Sequence, residues 1–148
     1  MLKRVSVMFL LTVSLLTFRP AIAADTRANN EARVKVFYDS LNRDDFGAAS
    51  QVVDPRYRHH NPAGSGGVDE LKAFFDFLKT KHPHAHFAIK RIISENNYIV
   101  VHLHAVLDPG SKGSAIVDIF KMENGRIVEH WDVRQDIPEN VADADALF

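Results

Sequence analysis

The Asn124-Gly125 dipeptide constrains the fold of this chain more than any other short segment. It lies between residues 114–123 and residues 126–136, two runs in which apolar and polar side chains alternate. Asn-Gly between such runs predicts a β-hairpin, because glycine adopts a positive φ without steric cost. We therefore expect two antiparallel strands joined by a tight turn near the end of the chain.

The length of the hairpin loop decides which side chains share a face. A three-residue loop pairs Asp118 with His130 and Ile116 with Asp132, which places three ionisable groups on one face. A two-residue loop instead pairs Asp118 with Trp131 and turns Asp132 to the other face, because a slip of one residue inverts every side chain. We prefer the three-residue loop, since a purely structural strand pair seldom places three ionisable groups among apolar neighbours.

The first 23 residues have the pattern of a secretory signal peptide. A basic start precedes the apolar run 5–18, and small residues form a cleavage site that ends at Ala23. The apolar run is too short to predict a membrane span, although an uncleaved anchor is the alternative. We expect a cleaved signal peptide over residues 1–23, and one domain over residues 24–148 in the periplasm or outside the cell.

The composition of the chain excludes several classes of function. It contains no cysteine, which excludes thiol catalysis, thiolate zinc sites and disulfide bonds. Its net charge is −1, and loss of the basic leader makes the remaining domain more acidic. An acidic domain without a basic stripe is not typical of nucleic-acid binding. We expect a small-molecule ligand, with no nucleic acid and no membrane as partner.

The period of the apolar residues changes from helical to strand-like along the chain. The helical period predicts a first helix over 31–42, a second one capped by Asp44 or Asp45, and a third over 68–81, with residues 24–30 loosely ordered. The strand period predicts strands over 84–94, 98–107, 114–122 and 126–133, joined by short turns. Helices followed by such strands predict an α+β fold, in which N-terminal helices pack on the concave face of a strongly curved antiparallel sheet to form a conical barrel.

A cone of this kind suits a small ligand that meets a few polar groups. Two polar residues precede a glycine-rich turn at the rim, two histidines share one face of the second predicted strand, and two phenylalanines lie on the third helix and on the hairpin. These candidate substrate-binding residues are His60, Asn61, Phe74, His102, His104 and Phe120.

Two motifs and the order of the elements resemble the SnoaL-like polyketide cyclases of the nuclear-transport-factor-2-like superfamily. The motifs are His60-Asn61-Pro62 and the closing segment 118–132, Asp-Ile-Phe-Lys-Met-Glu-Asn-Gly-Arg-Ile-Val-Glu-His-Trp-Asp. The resemblance covers residues 31–138. It implies a conical α+β barrel, a homodimer through the sheet, and intramolecular aldol condensation without a metal or an organic cofactor.

The resemblance also implies roles for individual residues. The family's catalytic aspartate on the last strand matches Asp132, and a histidine two residues earlier matches His130. The family's Asn-Pro matches Asn61-Pro62, and its pocket-facing polar position on the preceding strand matches Asp118. The chain departs from the antibiotic-pathway members in three features: the acid at position 118, the pair His102 and His104, and the export signal. The polyketide substrate therefore does not carry over.

These residues predict cofactor-free acid/base chemistry of the aldol-condensation, isomerase or lyase type on a small hydrophobic or carbonyl compound. Asp132 is the candidate base, with a pKa raised by desolvation in an apolar cavity. His130, paired with Asp118, is the candidate donor to the enolate oxygen. Two alternatives stay open: a non-catalytic periplasmic domain that binds a small hydrophobic ligand, and a metal site made of His102, His104 and Asp118.

Overall fold

Residues 20–62, 64 and 66–148 are described by the structure, a computed structural model. Most of the predicted signal peptide, residues 1–19, lies outside these described residues. Within them, no helix is both long enough and apolar enough to span a membrane. The elements in chain order are α1 (Pro20–Asn42), α2 (Phe46–Val52), β1 (Val53–His59), α3 (Val68–Lys81), β2 (His86–Glu95), β3 (Tyr98–Val106), β4 (Ser114–Glu123), β5 (Arg126–Asp136) and a short 3-10 helix (Asp145–Leu147).

The helices differ from the predictions mainly where they begin. α1 already includes residues 24–30 within its described range Pro20–Asn42, so the expectation of a loosely ordered segment there is wrong. The alanines in this segment favour helix without producing an apolar stripe. The predicted cap of α2 is confirmed, since the Asp45 side chain accepts a hydrogen bond of 2.9 Å from the Ala48 backbone N–H.

The third helix spans the predicted residues, Val68–Lys81. Leu71, Phe75 and Leu78 are buried on it, whereas Phe74 is 41% exposed. Successive residues of a helix point about 100° apart, so only one of the two adjacent phenylalanines can face the core. The helix therefore closes the core through Phe75, and Phe74 lies outside it.

The five strands form one open sheet in the order β1-β5-β4-β3-β2. β2 to β5 are antiparallel neighbours, as predicted, but β1 pairs parallel with β5. The sheet is therefore mixed rather than wholly antiparallel. β1 follows α2 directly and is far from β5 in the chain, so no hairpin turn fixes its direction relative to β5. The α+β class is confirmed, with the sheet not closed into a complete barrel.

The two faces of the sheet have different surroundings. The rings of Phe37 and Tyr38 on α1 contact the ring of Phe120 on β4, with centroids 5.6 and 6.0 Å apart. We call this helix-packed side the inner face and the opposite side the outer face. The register places on the inner face Ile99, Val101, Leu103, Asp118, Phe120, His130 and Asp132, and on the outer face Val100, His102, His104, Val117, Ile119, Trp131 and Val133.

The β4–β5 hairpin has a two-residue turn followed by a β-bulge. Asn124 and Gly125 both have positive φ, 51° and 73°, as a type I′ turn requires. Beyond the turn, the ladder shifts by one residue, with Val128 as the additional residue on β5.

Because of this shift, Asp118 lies opposite Asp132, and Phe120 lies opposite His130. Neither predicted set of pairs is correct. The observed pairing is shifted by two residues from the pairing predicted for a three-residue loop. A shift of two residues leaves every side chain on its predicted face. The expectation that Asp118, His130 and Asp132 share one face is therefore confirmed.

Candidate functional site

The inner face carries a set of polar side chains where β4, β5, β1 and α1 meet. We call it the inner cluster; its members are Tyr38, His59, Asn61, Asp118, His130 and Asp132. β1 is joined to β5 at this point, because the His60 backbone N–H donates to the His130 carbonyl at 2.9 Å. The cluster therefore combines residues that are up to 94 positions apart in the chain, from Tyr38 to Asp132.

Asp118 is the most buried member of the cluster, apart from Tyr38, and accepts a hydrogen bond from the Tyr38 hydroxyl. Its Oδ1 lies 3.2 Å from His130 Nε2. The contact is close enough for an ion pair, but its geometry does not make a hydrogen bond. Among the described residues, His130 Nε2 is consequently a buried nitrogen without a hydrogen-bond partner.

Asp132 is held by two donors, His59 at the end of β1 and Asn61 just after it. Its Oδ1 accepts a hydrogen bond of 2.7 Å from Asn61 Nδ2, and His59 Nε2 lies 3.3 Å away. Burial acts to raise the pKa of Asp132, but the bonds from Asn61 and His59 and the nearby His130 together lower it below its ordinary value. The expected upward shift is therefore wrong, and Asp132 is ionised at neutral pH.

Three stacked rings fix the two imidazoles of the cluster. The His130 ring stacks on Phe120 with centroids 4.7 Å apart and 14° between the planes. The His59 ring also stacks on the His130 ring, with centroids 4.8 Å apart and 30° between the planes. Phe120, predicted as a substrate-binding residue, thus supports His130 from the core side.

Tyr38 in the cluster and the neighbouring Tyr57 remain neutral at neutral pH. Burial, followed by the charge of Asp118, raises the pKa of Tyr38 well above 10.0. Burial likewise raises the pKa of Tyr57. The Tyr38 phenol therefore stays a hydrogen-bond donor to Asp118 over the whole neutral range.

Of the predicted rim residues, Asn61 joins the cluster and His60 does not. His60 lies on the outer face, where its Nε2 is 2.9 Å from Glu129 Oε2 and its ring stacks on Trp131 at 4.6 Å. Consecutive residues of a strand alternate between faces, so His59 occupies the inner position instead.

His102 and His104 also lie on the outer face, opposite Val117 and Ala115 of β4. Their rings contact Phe148 at the end of the chain, with centroids 5.1 and 4.9 Å away. The prediction that they line one pocket with Asp118 is wrong, and so is the alternative metal site built from these three residues. Both faces of β3 are largely apolar, so the sequence alone did not show which one meets the helices.

Sequence reasoning missed two members of the cluster, Tyr38 and His59. A period of two along β1 places Tyr57, His59 and Asn61 on one face, which was the available signal for His59. Tyr38 lies in the apolar stripe of α1, where a buried phenol needs a hydrogen-bond partner across the core.

The exposure of the side chains increases towards β1. It is 11% for Asp118, 12% for His130, 17% for Asp132 and 28% for His59. The cluster is therefore reached from the side of His59 and Asn61, next to the glycine-rich segment. A separate apolar hollow lies between α2, β1 and α3 and does not include the cluster; its described lining is Phe46, Ser50, Val53, Pro55, Val68 and Leu71.

The arrangement is suited to handling protons or a cation. Asp118 and Asp132 face each other on neighbouring strands, a placement of like charges that costs stability. His59, His130 and Asp132 each offer one ligand atom within 4.8 Å of the others. Such a concentration of ionisable groups at a partly buried position is typical of functional sites.

Comparison with known proteins supports the assignment of the fold. Residues 34–130 match the family model described as the SnoaL-like domain, a match that ends two residues before Asp132. A search of curated proteins returned no match.

Solved structures of the same fold include TsrD from Streptomyces laurentii, with 22% identity and a TM-score of 0.64 over 74% of this chain and 90% of that one. IdmH from Streptomyces antibioticus, provisionally described as a polyketide cyclase, has 14% identity and a TM-score of 0.61 over 72% and 91% of the two chains. AclR from Streptomyces galilaeus, provisionally described as a hydroxylase, has 17% identity and a TM-score of 0.63 over 74% and 90%. At these identities the likeness shows the α+β cone fold alone.

Proposed function

Because the chain belongs to the SnoaL-like family, we propose that it is a small-molecule enzyme that performs acid/base chemistry on a carbonyl compound. The reaction is of the aldol-condensation or cyclase, isomerase or lyase type, and it needs no bound cofactor. The single observation that supports this proposal most is the geometry of Asp132, which Asn61 and His59 hold within 4.8 Å of a ring nitrogen of His130. The names of IdmH and AclR indicate that the same fold is associated with cyclisation and hydroxylation in other proteins.

Asp132 is the base in this proposal. The described hydrogen bonds to Asp132 all use Oδ1, so Oδ2 is the oxygen that takes a proton from the carbon next to the substrate carbonyl. Entry of an apolar substrate removes water from the carboxylate, which raises its pKa towards that of a working base.

His130 is the proton donor and carries positive charge when protonated. Asp118, 3.2 Å from Nε2, balances that charge, and Tyr38 in turn donates to Asp118. An oriented donor at the position where enolate charge develops contributes about 2.7–4 kcal/mol in well-studied sites. His59 and Asn61 orient Asp132 and form the rim on which the substrate enters.

The test measures exchange of the α-protons of small apolar ketones in D₂O by NMR, comparing the wild-type chain with Asp132→Asn. We expect the variant to lose exchange by roughly 10²–10⁴-fold, the usual contribution of a general base. Asp136→Asn makes the same chemical change on the same strand, where the carboxylate is exposed and bonded to Ser114 and Arg134, and should leave the rate unchanged. Equal exchange in wild type and Asp132→Asn would rule out Asp132 as the base.

A non-catalytic binding domain is the second candidate function. The apolar hollow between α2, β1 and α3 favours it, since no ionisable side chain is present in its described lining. Binding of a ketone without any α-proton exchange in the same experiment would support this function over the enzyme.

We also propose that two copies of the chain pair through the outer face of the sheet. Ile93, Val117 and Val133 are exposed there, and Val117 lies directly opposite Val133. A second copy would cover this apolar surface by presenting the same residues to it.

A further inference from the structure

We infer that His59, His130 and Asp132 form a binding site for a divalent transition-metal ion such as Zn²⁺ or Co²⁺. The ion would bind the Asp132 carboxylate and the His130 imidazole, the two groups to which the proposed function assigns proton transfer. It would therefore act as a reversible inhibitor of that chemistry, and this consequence rests on the proposed function.

The spacing of the ligand atoms is the first argument. Bonds of about 2.0–2.2 Å from nitrogen and oxygen to Zn²⁺ place neighbouring ligand atoms of one ion roughly 3–3.5 Å apart. His59 Nε2 and Asp132 Oδ1 are 3.3 Å apart, and all three ligand atoms lie within 4.8 Å of one another. The spacing of His59 and Asp132 therefore matches two ligands of one ion, and the ligand atom of His130 lies next to them.

The chemical nature of the set is the second argument. Two imidazoles and one carboxylate bind zinc, cobalt, nickel and iron in preference to magnesium or calcium, which favour oxygen ligands. Three ligands from the protein leave further positions open for water or an anion. The partial exposure of His59 and Asp132 gives such ions a route to the site.

The charge balance of the cluster is the third argument. Among the described ion pairs, none joins Asp118 or Asp132 to a lysine or an arginine. Both carboxylates instead rely on histidine, tyrosine and asparagine. A divalent cation supplies the positive charge that the neighbouring side chains lack.

The surroundings of His130 provide an independent observation. Its Nε2 is buried and, within the described part of the chain, makes no hydrogen bond. Asp118 Oδ1 lies 3.2 Å from this nitrogen without forming a hydrogen bond to it, so the nitrogen's hydrogen-bonding capacity is unused and a bound ion can take it up. The rings of Phe120 and His59 hold the imidazole from both sides, so its orientation is set before an ion arrives.

The experiment titrates the chelator-treated full chain with Zn²⁺ by calorimetry and with Co²⁺ by visible absorption. We expect one ion per chain, with the absorption of a cobalt ion bound by nitrogen and oxygen. His59→Ala should weaken binding by at least about tenfold, as removal of a ligand does. His59→Gln, with circular dichroism of both variants, distinguishes lost ligation from lost folding.

His82→Ala is the matched control, because His82 forms an exposed pair with Asp108 at 2.8 Å, away from the cluster. It should bind the ion as the wild type does. Equal affinity in wild type and His59→Ala, or an equal loss in His82→Ala, would overturn the site.

The α-proton exchange assay separates this inference from the proposed function. Exchange that proceeds in chelator and slows when Zn²⁺ is added supports both. Exchange in chelator with no binding of Zn²⁺ overturns the metal site alone. Exchange that requires added metal keeps the ion at the site but overturns its inhibitory role and the cofactor-free reaction.

Discussion

The inner and outer faces of the sheet carry the same types of ionisable side chain, but the residues around these side chains differ. His59 and His60 are neighbours in the sequence, yet the first stacks on His130 inside and the second stacks on Trp131 outside. Each imidazole lies beside a carboxylate of β5, Asp132 inside and Glu129 outside.

The two faces differ in whether a lysine or arginine lies beside the carboxylates. Glu129 accepts a hydrogen bond from Lys121, and this bond, followed by the one from His60, lowers its pKa. On the inner face, the described partners of Asp118 and Asp132 include no lysine or arginine. The charge of Glu129 on the outer face is thus balanced by Lys121. The carboxylates of the inner face lack such a partner in the described part of the chain, so a substrate proton or a bound cation can neutralise them.

The largest difference between the faces should appear in packing. Phe120→Ala removes a buried ring that contacts Phe37, Tyr38 and His130, and should lower the free energy of unfolding by about 3–5 kcal/mol. Val117→Ala, on the outer face of the same strand, should cost less than about 1 kcal/mol. Urea unfolding measures both values, and similar losses would contradict the distinction between the faces.

A smaller effect should follow from removing one hydroxyl on each face. Tyr38→Phe leaves a buried oxygen of Asp118 without its donor, which costs about 1–3 kcal/mol. Tyr98→Phe makes the same change at an exposed position and should stay within about 0.5 kcal/mol of the wild type. Thermal unfolding of the two variants compares them directly.

The inner tyrosines should also make the chain sensitive to alkali. Because the pKa of Tyr38 is raised in the folded chain, that chain keeps a proton that the unfolded chain releases above pH 10.0. Stability is therefore fully present below pH 10.0 and falls as the pH rises further, by up to about 1.4 kcal/mol per pH unit for each such tyrosine. Urea unfolding from pH 8 to 11 should show a shallower fall in Tyr38→Phe than in the wild type; equal slopes would contradict this assignment.

On the outer face, Glu129→Gln should have a smaller effect than Tyr38→Phe. It removes a partly exposed ion pair with Lys121, and water and salt already screen that pair. The melting temperatures of wild type and variant should converge in about 1 M NaCl. A difference that persists in high salt would show that the outer pair acts like a buried one.

The smallest effect on stability should come from Val133→Ser, at a side chain that is 71% exposed. We expect a change within about 0.5 kcal/mol, together with loss of self-association if the outer face pairs two copies. Phe77→Ser, at an exposed position on α3, is the control. Sedimentation velocity that shows the same oligomeric state in wild type and both variants would refute pairing through Val133.

Local patterns predicted the elements well. The stripe of α3 and the position of the Asn124-Gly125 turn depend on residues close together in the sequence, and both were located correctly. The preferred three-residue loop is wrong, because the turn has two residues and the additional residue lies in a bulge. The parallel pairing of β1 with β5 depends on packing between segments more than 70 residues apart, which no local period encodes. The shared face of Asp118 and Asp132 and the contact of Asp118 with His130 were predicted. The hydrogen bonds from Tyr38 to Asp118 and from His59 and Asn61 to Asp132 were not.

The site was harder to predict because each error concerned a choice between faces. The His-Asn-Pro motif drew attention to His60, although the alternation along β1 places His59 inside. His102 and His104 share their strand with Val101 and Leu103, and only contact with α1 decides which pair is buried. The pKa of Asp132 depended on Asn61 and His59, whose bonds to it come from the parallel strand.

The bulge at Val128 has a consequence for how this hairpin can change in evolution. Deletion of that one codon converts the bulge into a regular ladder and leaves His130 opposite Phe120 and Asp132 opposite Asp118. A homologue shorter by one residue here can therefore carry the same inner cluster. An alignment with such a shorter chain would need a gap at Val128, since without it Asp132 would be matched to a residue on the other side of the sheet.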